Sequence, residues 1–286
     1  MTIEIIETGA ALGAEIRGVD LRTVIDDDTF GQVRQAFYRY GVIYFRGQEL
    51  GDDEHIRFSA RFGTLRKLAF NQYITDRKPE IFVVSNIVEN GSHIGSYDAG
   101  LFWHTDGPFH ANPHAASVMR ALEVPEKDGC TLGDTQFAYV AAAYDALSPS
   151  MKKRIDGLTA LQSVMHRYEK TIQSGRKKDN YSDELKKDPG AVHPVVRVHP
   201  VTGRKCLYVS DGYTVRIVGL PEQESVDLLA ELTAHCTQPQ FVYLHNWRVG
   251  DLVMWDNCST QHKATFDYAL PQRRLMYRTT IIRDGI

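Results

Sequence analysis

The last third of the chain sets the tightest limit on what it can fold into. From residue 193 onward come HPVVRVHP, CLYVS, FVYLHNW, GDLVMWDN and RRLMYRTTII, short runs rich in β-branched and aromatic residues and bounded by turn residues. One helical stretch, PEQESVDLLAELTAH, stands among them. Strands spaced this closely do not fit the regular strand–helix alternation of a doubly wound sheet. They call for a mainly β domain with helices packed on its outside.

The first half is mixed. A strand pair is expected around EIIETGAALGAEIRGVDL, then a helix capped near Asp28 and Thr29 with Phe30, Val33 and Phe37 at helical spacing. GVIYFRG reads as a buried strand, DDEHIRFSARFG as a helix stopped by Gly63, and EIFVVSN and AASVMRALEV as further strands. AYVAAAYDALSPSMKKRIDGL reads as an alanine-rich helix interrupted at Ser-Pro. The most polar stretch, residues 166–192, has no sustained period. Strand signals resume directly after it, so it reads as part of a lid at about 163–192, within a single domain covering residues 1–286.

Composition narrows the partners. With 43% hydrophobic and 24% charged residues, 286 residues can bury a large core. A net charge of −3 with no basic block excludes the footprint that phosphate neutralisation requires, so no nucleic acid is expected. The first residues lack a leader pattern and no run of about 20 apolar residues follows, so no membrane partner and a cytoplasmic location are expected. Cys130, Cys206, Cys236 and Cys258 are scattered, without the spacing of a disulfide framework or a thiolate zinc site.

The chemistry centres on FWHTDGPFH, residues 102–110. On a strand, His104 and Asp106 would point to one face and aim an imidazole nitrogen and a carboxylate oxygen at one point, with Gly107-Pro108 ending the strand. Taken alone, the pair is better read as a turn cap beside a locally bonded histidine. A third ligand changes that. His262, in DNCSTQHKATF after the strand GDLVMW, would complete two histidines and one carboxylate, the facial set that binds Fe(II) and leaves positions open.

Other histidines compete weakly. His110 and His114 are four apart but separated by Pro113, while His193 and His199 bracket PVVRV as ordinary edge residues. In RRLMYRTT, Arg274, Met276, Arg278 and Thr280 share one strand face, which makes a forked receptor for carboxylates or sulfonates. There is no nucleophile elbow, no phosphate loop and no dinucleotide fingerprint.

In order along the chain, GAEIRGVDL, VIYFRGQ, RFG, WHTD, GDT, AAYDALSPSMKKRIDGL, HPVVRVHPVTGRKCLYVS, GDLVMWDN, QHKATFDY and PQRRLMYRTTI resemble the Fe(II)/2-oxoglutarate dioxygenases that include taurine dioxygenase and chlorophenoxyacetate dioxygenase. The resemblance runs over nearly the whole chain. It implies a double-stranded β-helix, a jelly-roll, cupin-like core with flanking helices, holding iron through His104, Asp106 and His262. Fe(II) would be the cofactor, with 2-oxoglutarate and O2 as cosubstrates and succinate and CO2 as co-products. Thr135, in GDT, and Arg274 match the pair that holds the far carboxylate of 2-oxoglutarate. Arg273 should face the opposite way by strand alternation, and Thr131 is a rival to Thr135 in the loop PEKDGCTLGDT.

Asp106 argues against halogenation, because related halogenases carry a small residue in the carboxylate's place. Hydroxylation of a small anionic molecule is the implied reaction, a sulfonate, carboxylate, aryloxy acid or alkyl sulfate. Desaturation and oxidative decarboxylation of an N-substituted amino acid-like substrate are alternatives, and a non-catalytic metal-binding barrel or a zinc hydrolase are more distant ones. Arg278 matches the arginine that grips the sulfonate in taurine dioxygenase. Gly100, however, stands where that enzyme has an asparagine, which argues against taurine itself. Asn71, Gln72, Tyr73, Asn86 and Tyr213 lie where the family builds its substrate pocket, and relatives often form homodimers or homotetramers.

Overall fold

The computed structural model describes residues 3–68, 74–75, 78–175 and 187–282. Eight strands form one sheet, in the order Glu4–Glu7, Ala14–Arg17, Val42–Phe45, Leu252–Asp256, His114–Glu123, Leu275–Ile282, Lys78–Ser85 and Ile74–Thr75. Among the described residues only the pairing of Ala14–Arg17 with Val42–Phe45 is parallel. A second sheet has three strands, Val242–His245, Thr135–Tyr139 and Thr260–Ala264. The rings of Phe137 and Trp255 meet across the gap with centroids 5.7 Å apart.

The central strands of the large sheet are covered on both faces, and Val42–Phe45 is apolar at every position for that reason. All of Leu252–Asp256 is buried. Val253 and Trp255 point into the core between the sheets, with Phe137, Met119 and Met276. Leu252 and Met254 point the other way and pack under Phe30, Val33, Phe37 and Phe58 of two helices, Asp27–Tyr40 and Asp52–Ala60. Period-two alternation therefore assigns each residue of the neighbouring strands to a side. Met276 lies between the sheets, so Arg274 and Arg278, two positions away on either side, lie there too.

Local signals explain the helices. The Asp26 carboxylate accepts the backbone N–H of Thr29 at 2.8 Å, so the first helix is capped two residues earlier than the sequence suggested. Gly41, at φ 69°, closes it in the left-handed conformation. Ser-Pro does break the alanine-rich stretch, into Val140–Ala146 and Pro149–Ile155, with the Ser148 hydroxyl capping the second piece. The expected hairpin pairs Val196–Val198 with Lys205–Leu207.

The polar excursion differs from expectation. It begins with a helix, Val164–Gln173, capped by Ser163. Its Arg167 donates to Asp98 O at 3.1 Å, which fastens that helix beside the site. Residues 176–186 of the excursion lie outside the described residues. Among the described residues no helix is long and apolar enough to cross a membrane.

His55, on the helix Asp52–Ala60, is fully buried against the outer face of the large sheet, its Nε2–H donating to Val118 O at 3.1 Å. Burial holds this imidazole down to about 3, against 6.5 for an ordinary histidine. A depressed histidine pKa means that the unfolded chain binds the proton first, so stability present above pH 6.5 drains away as pH falls toward 3. We expect His55→Leu to flatten the pH dependence of the urea midpoint between pH 6 and 4, by on the order of 1.4 kcal/mol per pH unit. An unchanged slope would mean that His55 does not set the acid limb.

Candidate metal centre

His104 and Asp106 do not lie on a regular strand. Gly107, at φ 64°, and the following proline turn the chain too sharply, and the pair sits in an irregular segment instead. What fixes it is a two-way backbone bond to the small sheet: His104 N–H donates to His262 O at 3.1 Å and His262 N–H to His104 O at 2.7 Å. That bridge places the two imidazoles 4.1 Å apart, centroid to centroid. Asp106 is held alongside by its own N–H, which donates to Asn257 Oδ1 at 3.2 Å. One donor atom from each of His104, Asp106 and His262 lies within 4.8 Å of the others, and all three residues are buried.

The donor set is prepared chemically as well as spatially. His104 Nδ1–H donates to Phe102 O at 2.8 Å, which leaves Nε2 as the free lone pair, 3.7 Å from Asp106 Oδ1. Burial holds His104 down to about 4 and His262 well below the ordinary value, so both are neutral near pH 7, as metal ligation requires. Burial alone would raise the Asp106 carboxyl. The Arg278 guanidinium, the two imidazoles and the Ser117 hydroxyl outweigh it and hold the group far below the usual carboxylate range. Ser117 donates to Oδ2 at 2.6 Å and Arg278 to Oδ1 at 2.8 Å.

A cavity adjoins His104 and His262, lined among others by Thr135, Trp247, Arg274 and Arg278. Thr135 is two residues from Phe137 on the inner face of the small sheet, and Arg274 is 3% exposed with its Nε–H unpartnered among the described residues. Arg273 pairs with Glu123 at the surface, 2.8 Å away, and Thr131 is exposed on a separate two-stranded ribbon. Tyr213 faces His104, ring centroids 5.9 Å apart.

Asn86 has a different place from the one expected. Its Oδ1 accepts Arg274 N–H and its amide donates to Gln272 O, so it braces the strand that carries Arg274 instead of opening into the cavity. Asn71, Gln72 and Tyr73 lie outside the described residues. His199 is no edge residue: it is buried and bonded to Asp256 Oδ2 at 2.6 Å. Ser117, Asn257, Trp247 and Arg66 were not singled out from the sequence. Asn257 and Trp247 stand in quoted motifs, and alternation from Met119 would have turned Ser117 inward.

The family described as "Taurine catabolism dioxygenase TauD, TfdA family" matches residues 4–280. The chain belongs to this family. It is a 2-oxoglutarate-dependent non-haem iron dioxygenase. Among relatives of this dioxygenase, a pentalenolactone F synthase from Streptomyces arenae is 34% identical over 285 residues, covering 96% of this chain and 94% of its own. An alpha-ketoglutarate-dependent 2,4-dichlorophenoxyacetate dioxygenase from Cupriavidus pinatubonensis is 32% identical, covering 96% and 95%. The crystal structure of AAD-2 with Mn(II) and N-oxalylglycine superposes with a TM-score of 0.83 at 31% identity, covering 100% of this chain and 98% of the other.

The Ser117 contact supplies a prediction about metal affinity. Asp106→Ala should abolish measurable Mn(II) binding by anaerobic calorimetry, whereas Ser117→Ala should weaken it about 10-fold, the usual effect of losing a partner that orients a ligand. Undiminished binding in Ser117→Ala would leave that hydrogen bond without a role in holding the carboxylate.

Proposed function

We propose that the protein hydroxylates a small organic anion, with Fe(II) on His104, Asp106 and His262 and 2-oxoglutarate held by Thr135 and Arg274. The observation that carries this reading is the meeting of two neutral imidazoles and one ionised carboxylate, the imidazoles at the wall of a cavity that also receives two guanidiniums. Two nitrogens and one oxygen are the donor chemistry of a facial iron site, and the Nε–H of buried Arg274, without a partner among the described residues, suits an incoming anion. We further read the two facing sheets as the halves of a double-stranded β-helix with the site between them.

Iron with 2-oxoglutarate and O2 supplies an oxidative decarboxylation, to succinate and CO2, that drives oxidation of a substrate C–H bond. The protein's residues orient and exclude. Arg274 would pair with the far carboxylate in a site closed by Trp255 and Met119, where loss of water strengthens a well-made ion pair. Trp247 Nε1–H donates to Thr135 Oγ1 at 2.9 Å, which occupies a lone pair and leaves the threonine O–H free to donate to the same carboxylate. Arg278, 16% exposed, would turn to an anionic substrate.

The decisive experiment is anaerobic addition of Fe(II) and 2-oxoglutarate. A visible metal-to-ligand charge-transfer band is expected, and its absence would sink the cofactor assignment. Substrate-dependent succinate release across sulfonates, alkyl sulfates and aryloxy acids then identifies the substrate. Trp247→Phe should raise the dissociation constant for 2-oxoglutarate about fivefold to tenfold, the worth of one hydrogen bond. It should leave 2-oxopentanoate, which lacks the far carboxylate, unaffected; equal loss for both ligands would mean a general packing defect.

A further inference from the structure

Thr135 and Arg274, the two residues read above as holding the far carboxylate of 2-oxoglutarate, belong to different sheets. Thr135 opens a strand of the small sheet, and Arg274 directly precedes Leu275–Ile282 of the large one. The chain that joins the two sheets here runs from Ala264, opposite Thr135, to Arg274. It is laced to the Thr135 side at once. Thr265 donates its N–H to Asp134 O at 2.8 Å and its hydroxyl to the same oxygen at 3.2 Å. Two residues on, Asp267 Oδ1 accepts the Gly133 N–H at 2.8 Å.

Tyr268, the next residue, reaches both sides. Its ring lies so close on Gly133 that a Cβ there would stand 2.9 Å from a ring carbon, and Gly133, at φ 73°, has the left-handed backbone that glycine adopts freely. The Arg274 guanidinium carbon stands 6.0 Å from the centre of the same ring. Among the described residues no carboxylate pairs with Arg274. An aromatic face attracts a cation without neutralising it and without accepting its N–H groups along the fork, so it can hold the guanidinium in place and leave the fork open to a carboxylate. The backbone of Arg274 is fixed separately: its N–H donates to Asn86 Oδ1 and its carbonyl accepts the Ser85 hydroxyl, each at 2.8 Å.

We propose that Tyr268 is a positioning residue for the cosubstrate, holding the Arg274 guanidinium at a set distance from Thr135 so that the site measures the length of a 2-oxo dicarboxylate. The ring acts through Arg274. Bonds from Thr265 and Asp267 tie its segment to the Thr135 side, so the spacing between the two carboxylate-holding groups is set by this connection as well as by the sheets. Misplacing such a group by about 1 Å is enough to spoil a forked ion pair. This inference rests on the 2-oxoglutarate-dependent reading, and the two can fail separately.

The test titrates the Fe(II)-loaded protein without oxygen, following the charge-transfer band. Three ligands are compared: 2-oxoglutarate, 2-oxopentanoate, which lacks the far carboxylate, and 2-oxoadipate, which is one methylene longer. Tyr268→Leu should raise the dissociation constant for 2-oxoglutarate about fivefold, the worth of one partly buried cation–π contact, and narrow the preference over 2-oxoadipate. Its binding of 2-oxopentanoate should be unchanged, which also certifies that the metal site has folded. Tyr268→Phe keeps the ring and should match wild type. If Tyr268→Leu binds 2-oxoglutarate as tightly as wild type, weakens 2-oxopentanoate equally, or keeps the full preference over 2-oxoadipate, the positioning role is overturned while the cofactor reading stands. A loss in Tyr268→Phe as large as in Tyr268→Leu overturns it too. If wild type gives no band with 2-oxoglutarate, the cofactor reading itself fails.

Discussion

Keeping one carboxylate ionised between two sheets is the constraint around which the rest of this protein is arranged. Asp106 has almost no contact with water, and removing such a group from solvent costs several kcal/mol unless charge and hydrogen bonds replace the lost hydration. The replacement comes from Arg278 on one strand, Ser117 on its neighbour and Asn257 just beyond a third. These strands lie side by side in the large sheet, and Ser117 is directly opposite Thr280, two residues from Arg278. The register of the sheet thus delivers the guanidinium and the hydroxyl to the two oxygens of one carboxylate.

The imidazoles follow from a different element. His262 rides on the small sheet, opposite Phe137, and the reciprocal backbone bond to His104 ties the irregular segment 102–113 to that sheet's edge. One half of the site is therefore anchored to each sheet, with Trp255 against the His262 ring at 4.8 Å between them. Large core residues such as Trp255 and Phe137 act on function through this geometry. Any change in sheet spacing moves imidazoles relative to the carboxylate, and positioning errors near 1 Å are enough to lose a metal or a reactive alignment.

Alternation made much of this legible in the sequence. The inward placing of Arg274 and Arg278 and the outward placing of Arg273 follow from a two-residue period, and the strand has covered neighbours on both sides that enforce it. The same rule misread His104 and Asp106. Their segment is held by long-range backbone bonds after a left-handed glycine, and local pattern carries no trace of such bonds. His199 was misjudged for a related reason, since its partner Asp256 is 57 residues away. Arg66 had no periodic context at all, because a lone arginine after a turn looks like any solvated one until the fold surrounds it.

The distribution of parts also separates what is fixed from what can vary. His104, Asp106 and His262, and the Thr135 proposed to hold 2-oxoglutarate, are braced by sheet strands, by the His104–His262 bridge and by a buried hydrogen bond from Trp247, all of which resist displacement. Arg66 and Tyr213 come from connecting segments, and the helix Val164–Gln173 is fastened beside the site by side-chain contacts, Arg167 to Asp98 and Lys170 to Asp211. Connections tolerate substitution far better than packed strands. A chain built this way can change the molecule it oxidises by altering its connections, while the oxidising machinery, which depends on sheet register, stays as it is.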